Sequence, residues 1–186
     1  MIMRLRMAVI LIPVTFAPLH IEAQSREASA RTAELAAMFS KHKQVVKEKR
    51  GVTLDKYKDV RSEPVTRSNP SSYSGSYTAD FGFTLRLTVQ PDGRVEGSGR
   101  DPISGASNVA RTFVLRDARV DGALLTGTIV YGDNRSRKLE GVFMNRTSRE
   151  SPTDPGHTAF GLGVLTPPTQ VDGLTIERLF YERTSL

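Results

Sequence analysis

The sequence of 186 residues contains no cysteine and no tryptophan. The absence of cysteine excludes disulfide bonds, thiolate metal ligands, a thiol nucleophile and a lipid anchor attached to a cysteine. The chain must therefore be held together by packing alone. In an exported protein, this is more typical of a bacterial periplasm or culture medium than of the eukaryotic secretory route.

Histidine is also scarce, because the chain has three and one of them, His20, lies in the N-terminal leader predicted below. The other two, His42 and His157, cannot form a three-histidine metal site, and no His-Glu-x-x-His pattern occurs. No glycine-rich phosphate loop lies between a predicted strand and a predicted helix. The sequence therefore predicts neither a metal site nor a cofactor.

Residues 1–23 have the features of a cleaved secretory signal. Arg4 and Arg6 form a short basic region, an apolar run covers residues 7–21, and the small residue Ala23 precedes the expected cleavage point. The run is shorter than the ~20 apolar residues that a membrane-spanning helix needs, and prolines interrupt it. We therefore expect a periplasmic or secreted bacterial protein, with no transmembrane segment in the mature chain.

The formal net charge of +6 is concentrated in the N-terminal third of the chain. Residues 24–50 carry seven Lys or Arg against three Glu, whereas residues 70–186 carry thirteen Lys or Arg against thirteen Asp or Glu. A basic protein often binds nucleic acid, but most of this chain is balanced in charge. The distribution, together with the predicted export, argues against nucleic-acid binding.

Residues 24–50 are predicted to form one basic amphipathic helix that ends at Gly51. Its apolar side contains Leu35, Met38, Phe39, His42, Val45 and Val46. This side can pack against the following domain or a second copy, or bind a protein partner, and His42 is expected to pack within it. The basic turns suit the helix dipole, although an anionic surface is an alternative. Residues 51–72 mix charges with prolines and serines, which indicates a linker or an arm laid over the next unit.

From Tyr73 onward the sequence has the pattern of an antiparallel β-sheet. Residues 81–90, FGFTLRLTVQ, alternate strictly between apolar and polar side chains. Asp-Gly turns at residues 92–93, 121–122 and 172–173 separate similar runs, giving about eight strands over residues 73–186. Because a meander of this length avoids free edges by closing, we predict an up-and-down barrel, with a β-sandwich as the alternative.

A short pattern at the two ends of this segment resembles small calycin-type barrels, the lipocalin and avidin-like group. Gly75-Ser76-Tyr77 lies at the first strand, and Arg178 or Arg183 lies near the end of the last. The family opens its first strand with Gly-x-Trp and packs an arginine of the last strand across it, so tyrosine here replaces tryptophan. The resemblance implies a barrel with a small apolar ligand inside.

The stretch NRTSRESPTDPGHTAFG, residues 145–161, contains the only grouping that suggests catalysis. In a hydrolase or isomerase, His157 would be the general base, oriented by Asp154 or Glu150. The candidate nucleophiles are Ser148 and Ser151. However, Asp-Pro-Gly is typical of a turn, and no Gly-x-Ser-x-Gly elbow presents either serine. A turn is therefore the favoured interpretation.

Two arginines, Arg111 and Arg178, share strand faces with apolar residues. A buried guanidinium must be paired, so Glu140 and Glu177 are candidate partners in a structural role. Alternatively, these arginines bind the carboxylate or phosphate of a ligand. The candidate ligand-binding residues are Arg111, Arg178, Tyr77 and Arg149.

The sequence as a whole favours an exported, non-catalytic binding module. The ligand would be a small apolar molecule in the barrel, or a protein partner bound through Leu35, Met38, Phe39, Val45 and Val46. A small hydrolase or isomerase that uses residues 145–161 is one alternative, and an envelope-associated structural protein is another. If the lumen is filled by side chains such as Phe83, Leu85, Phe113 and Phe143, only surface binding remains.

Overall fold

The polypeptide forms one N-terminal helix followed by nine strands in a computed structural model that describes residues 18–40, 59–101, 111–149, 153, 155–171 and 174–185. The helix is α1 (Pro18–Ser40). The strands are β1 (Asp59–Pro64), β2 (Gly75–Ala79), β3 (Phe83–Val89), β4 (Arg94–Asp101), β5 (Arg111–Asp121), β6 (Leu124–Tyr131), β7 (Ser136–Arg149), β8 (His157–Val171) and β9 (Leu174–Ser185). Two short 3₁₀ helices cover Pro70–Tyr73 and Asp80–Gly82.

Strands β2 to β9 form a closed antiparallel barrel. Each strand pairs with the next one in the chain, and β9 pairs with β2 to complete the circle. The prediction of an up-and-down barrel of about eight strands is therefore confirmed, and the β-sandwich alternative is excluded. Closure leaves none of these eight strands as a free edge, which explains how a long meander avoids edge-to-edge association.

Strand β3 shows why the sequence folds in this way. Its residues alternate between buried and exposed without exception, with Phe83, Leu85, Leu87 and Val89 facing the core. The predicted pattern began two residues earlier, at Phe81, and here the prediction was wrong. Phe81 lies in the turn between β2 and β3 with φ of 66°, and its side chain is 40% exposed. The tight turn needs a residue in the left-handed backbone conformation at this point, and this conformation takes Phe81 out of the strand.

Strand β1 lies outside the barrel and pairs with one of its strands, β7. Strand β7 is longer than β6, and β1 pairs with the half of β7 that β6 does not reach, from Met144 to Arg149. The outer edge of β1 is protected, because Ser40 Oγ of the helix accepts a hydrogen bond from Ser62 N over 3.1 Å. Pro64 at the end of the strand has no N–H to offer a further strand.

Helix α1 packs against the outside of the barrel. Leu35 is completely buried and Phe39 is 7% exposed, in a cluster with Val142 and Met144 of β7. These apolar side chains therefore contact the protein's own barrel. The helix begins at Pro18, whereas residues 41–50 of the predicted helix, with His42, Val45 and Val46, lie outside the described residues. No helix in the described part of the chain is long and apolar enough to cross a membrane.

An ion pair between Arg31 and Glu140 also holds the helix against β7. Arg31 Nε and Nη2 donate to the two carboxylate oxygens over 2.7 and 2.5 Å. These hydrogen bonds lower the pKa of Glu140 below its usual value. Because the pair is one-third exposed, we expect Glu140→Gln to reduce the free energy of unfolding by at most about 1 kcal/mol.

This small loss should be seen in urea unfolding at pH 7. It should vanish as the pH falls through the lowered pKa of Glu140, because the carboxyl group is then protonated in the native protein as well. A loss that is equally large at pH 2 would show that the variant acts through packing and not through charge.

Candidate functional site

The lumen of the barrel is filled by its own side chains. Phe83, Leu85, Phe113 and Phe143 are each at most 4% exposed and belong to one continuous core. An interior ligand of the kind that the calycin resemblance implies would have to occupy this space. Candidate sites on this molecule therefore lie at the two ends of the barrel and on its outer surface.

One end of the barrel is closed by the segment that precedes β2. The hydroxyl of Tyr73, at the end of the first 3₁₀ helix, accepts a hydrogen bond from Arg67 N over 2.8 Å. The same oxygen lies 2.7 Å from Val65 O and 2.9 Å from Gly122 O, either of which can accept its proton. The aromatic ring of Tyr73 stacks on that of Phe143, with the ring centroids 4.2 Å apart. Tyr73 thus ties residues 65–73 to the β5–β6 turn.

The residues that carry the calycin resemblance meet at this closed end. Tyr77 and Arg183 are directly opposite in the pairing of β2 with β9. Tyr77 is completely buried and donates its hydroxyl proton to Tyr73 O. Arg183 Nη1 donates to Ser72 O over 3.1 Å. Tyr77 is thus a core residue, and Arg183 binds the segment just before the first barrel strand.

The other predicted arginine of β9, Arg178, has a different role. It is exposed, and its Nη1 donates to the main-chain oxygen of Met38 at the end of the helix over 2.5 Å. The predicted pairing with Glu140 was wrong, because Arg31 occupies that carboxylate. The other predicted partner, Glu177, is exposed and forms no ion pair in the described part of the chain.

A polar network occupies the opposite end of the lumen. The hydroxyl of Tyr131 donates to Asp101 Oδ2 over 2.6 Å and accepts from Arg137 Nε over 3.0 Å. Arg137 Nη2 lies 3.9 Å from the same Asp101 oxygen. Arg111, a predicted ligand-binding residue, places its Cζ 5.6 Å from the centre of the Tyr131 ring. The network neutralises one buried charge with another, so it has a structural role in closing this end.

The sequence contains a signal for the buried charges of this network, although they were not among the predicted site residues. Asp101 lies on the inward face of β4, and Arg137 lies on the same face of β7 as the buried Leu139. Two opposite charges on inward faces of a barrel indicate a buried pair. Strand alternation alone could therefore have identified both, but not their contact with Tyr131.

A groove of about 580 Å³ crosses the outside of the barrel over β2 to β6. Three consecutive residues from each of β2 to β5 line it, together with Val130 and Tyr131 of β6 and the following Gly132. The serines and threonines along it are Ser76, Thr78, Thr84, Ser98 and Thr112. The helix packs on β6, β7 and β8, so most of the groove lies away from it. This is a surface with room for a ligand, unlike the filled lumen.

Two arginines and an apolar patch also lie along this groove. Arg86 pairs with Ser98 across β3 and β4, and Arg100 is two residues further along the same face. Both guanidinium groups are exposed, and neither forms an ion pair or hydrogen bond within the described residues. Val114, beside them, is 43% exposed. The groove therefore offers two uncompensated cations next to apolar surface.

The stretch from residue 145 to 161 consists mostly of the paired ends of β7 and β8, and β1 also pairs with this part of β7. β7 continues to Arg149 and β8 begins at His157, which lies opposite Ser148. The His157 side chain is 75% exposed, and its Nε2 is 3.8 Å from Glu182 Oε1. Glu150, Ser151 and Asp154 lie outside the described residues. An imidazole that is exposed to this degree gives no support to the catalytic interpretation.

Arg149, the remaining predicted ligand-binding residue, ends β7 opposite Asp59 of β1 and is half-buried. No group of three or more residues that could hold a metal ion occurs in the part of the chain that the structure describes. Comparison of the chain with protein-family models, curated proteins and solved structures gave no match. Evidence for a function therefore comes from the geometry of this molecule.

Proposed function

We propose that this protein is an exported, non-catalytic binding module that holds its ligand in the groove outside β2 to β6. The observation that supports the proposal is a groove of about 580 Å³ with two unpaired arginines on it. Small-molecule sites commonly have volumes of ~300–1,000 Å³ and combine apolar surface with a few placed polar groups. The secretory signal that the sequence predicts at residues 1–23 supports export to a bacterial periplasm or the medium.

The groove favours a ligand with one anionic group and an apolar body. Arg86 and Arg100 can both donate to a sulfonate, carboxylate or phosphate. The exposed Val114 and the half-exposed Val130 provide apolar contact beside them. The proposed ligand thus differs in two respects from the small apolar ligand expected from the sequence, because it binds outside the barrel and carries a charge.

A pair of fluorescent probes tests the proposal. 8-Anilinonaphthalene-1-sulfonate has an apolar body and a sulfonate, whereas N-phenyl-1-naphthylamine has a closely similar body and no charge. We expect the double variant Arg86→Gln/Arg100→Gln to bind the sulfonate probe about tenfold more weakly, which corresponds to about 1.4 kcal/mol. Its affinity for the neutral probe should stay unchanged. Fluorescence titration gives both dissociation constants.

The matched control removes two charges from the same sheet outside the groove. Arg94 and Arg119 are exposed and lie opposite each other across β4 and β5. Arg94→Gln/Arg119→Gln should bind both probes as the unmodified protein does. If both double variants bind the sulfonate probe more weakly by the same factor, the effect comes from net charge and the groove is not the site.

A further inference from the structure

Two arginines at the closed end of the barrel share one aromatic ring. The Cζ atom of Arg67 lies 4.6 Å from the centre of the Phe160 ring, and that of Arg183 lies 5.7 Å from it. Phe160, on β8, is itself stacked beside Phe143 and Tyr73. Each guanidinium is therefore held against an apolar aromatic cluster by the segment before β2 and by β9.

Neither guanidinium has an acidic partner in the described part of the chain. Arg183 makes one side-chain hydrogen bond, to Ser72 O, and the side chain of Arg67 makes none. Arg67 Nε and Arg183 Nη2 are buried without any hydrogen-bond partner. Both residues are half-buried, so water can satisfy only part of the hydrogen bonding that their guanidinium groups need.

A buried N–H donor without an acceptor is costly, and two like charges at one ring repel each other. A carboxylate would relieve both effects, as Glu140 does for Arg31 on the outer surface. Here the groups that the guanidinium groups contact are the rings of Tyr73 and Phe160 and the main-chain oxygen of Ser72. None of these supplies a negative charge.

We propose that Arg67 and Arg183 form an oxyanion site at the closed end of the barrel, which binds a phosphate, sulfate or carboxylate group. Oxyanions accept several charge-assisted hydrogen bonds at once, and arginine presents its donors in a planar fork that suits them. The site is separate from the groove, because it is built from the segment before β2, from β8 and from β9. The anion is either a free ion or the headgroup of an anionic lipid.

Inorganic phosphate tests the site first. The full chain is titrated with sodium phosphate by isothermal calorimetry, in sodium chloride at matched ionic strength. We expect saturable binding that Arg67→Gln weakens about tenfold and that Arg67→Lys, which keeps the charge but loses the fork, weakens less. The matched control is Arg178→Gln, which removes an exposed arginine of β9 and should leave phosphate binding unchanged.

Lipid vesicles then distinguish the source of the anion. Co-sedimentation with phosphatidylglycerol vesicles, compared with phosphatidylcholine vesicles, should fall in Arg67→Gln but not in Arg178→Gln if the anion is a headgroup. Phosphate binding without vesicle binding assigns the site to a free anion. The proposal is overturned if phosphate has no effect beyond chloride, if Arg67→Gln binds phosphate as the unmodified protein does, or if only Arg86→Gln/Arg100→Gln weakens it.

Discussion

Tyr73→Ala is expected to lower the free energy of unfolding by about 4–6 kcal/mol, a large part of the ~5–15 kcal/mol that stabilises a typical domain. The ring of Tyr73 is completely buried and stacks on Phe143 at 4.2 Å, so its removal leaves a cavity at the centre of the closed end. The hydroxyl also accepts the hydrogen bond of Arg67 N. Without it, the segment before β2 loses one of its attachments to the barrel.

Tyr73→Phe separates the hydroxyl from the ring. This variant keeps the stacking but leaves Arg67 N without its acceptor, so we expect a loss of about 1–3 kcal/mol. Urea unfolding followed by circular dichroism measures both variants. Phe81→Ala is the control, because it removes an aromatic ring that is 40% exposed and should change stability by less than about 1 kcal/mol. If Tyr73→Phe were as stable as the unmodified protein, the hydroxyl would not hold the segment.

The barrel could be predicted from sequence because its signals are local. Alternation along β3 and the Asp-Gly turns depend on neighbouring residues, and each fixes one hairpin. Closure could be predicted as well, because a meander of about eight strands avoids free edges by closing. The role of Tyr73 could not be predicted, because its contact with Gly122 joins residues 49 positions apart.

The candidate sites were harder to predict than the fold, for a related reason. Arg86 and Arg100 are neighbours only after β3 and β4 pair, and Arg67 meets Arg183 only after the barrel closes. The histidine that drew attention in the sequence, His157, is instead exposed on the outer surface. Residue types that suggest chemistry are visible in a sequence, whereas an unpaired charge is visible only in three dimensions.

The buried tyrosines predict a second large effect, a loss of stability at alkaline pH. Burial raises the pKa of Tyr77 to about 12. Burial is also the main reason why the pKa values of Tyr73, Tyr131 and Tyr181 are raised, and the Asp101 carboxylate adds to the effect for the last two. In the unfolded chain these groups ionise near pH 10. The described tyrosines therefore keep their protons in the native protein at a pH where the unfolded chain loses them.

The sign of the effect follows from the number of bound protons. Below pH 10 the tyrosines are protonated in both the native and the unfolded state, so their contribution to the free energy of unfolding is fully present. Between pH 10 and about 12 the unfolded chain binds fewer protons than the native protein, and Tyr77 lowers the free energy of unfolding by about 1.4 kcal/mol per pH unit. For Tyr77 the total approaches about 2–3 kcal/mol. The other three described tyrosines act in the same direction, so the protein should lose further stability as the pH rises.

Urea unfolding at intervals from pH 8 to pH 12 measures the slope, and absorbance at 295 nm reports tyrosine ionisation in the same samples. We expect most ionisation to coincide with unfolding and not to precede it. Tyr77→Phe removes one titrating group, so its stability should fall less steeply with pH, by about 1.4 kcal/mol per pH unit. An unchanged slope in this variant, or ionisation of the tyrosines near pH 10 in the folded protein, would show that the closed end of the barrel admits water.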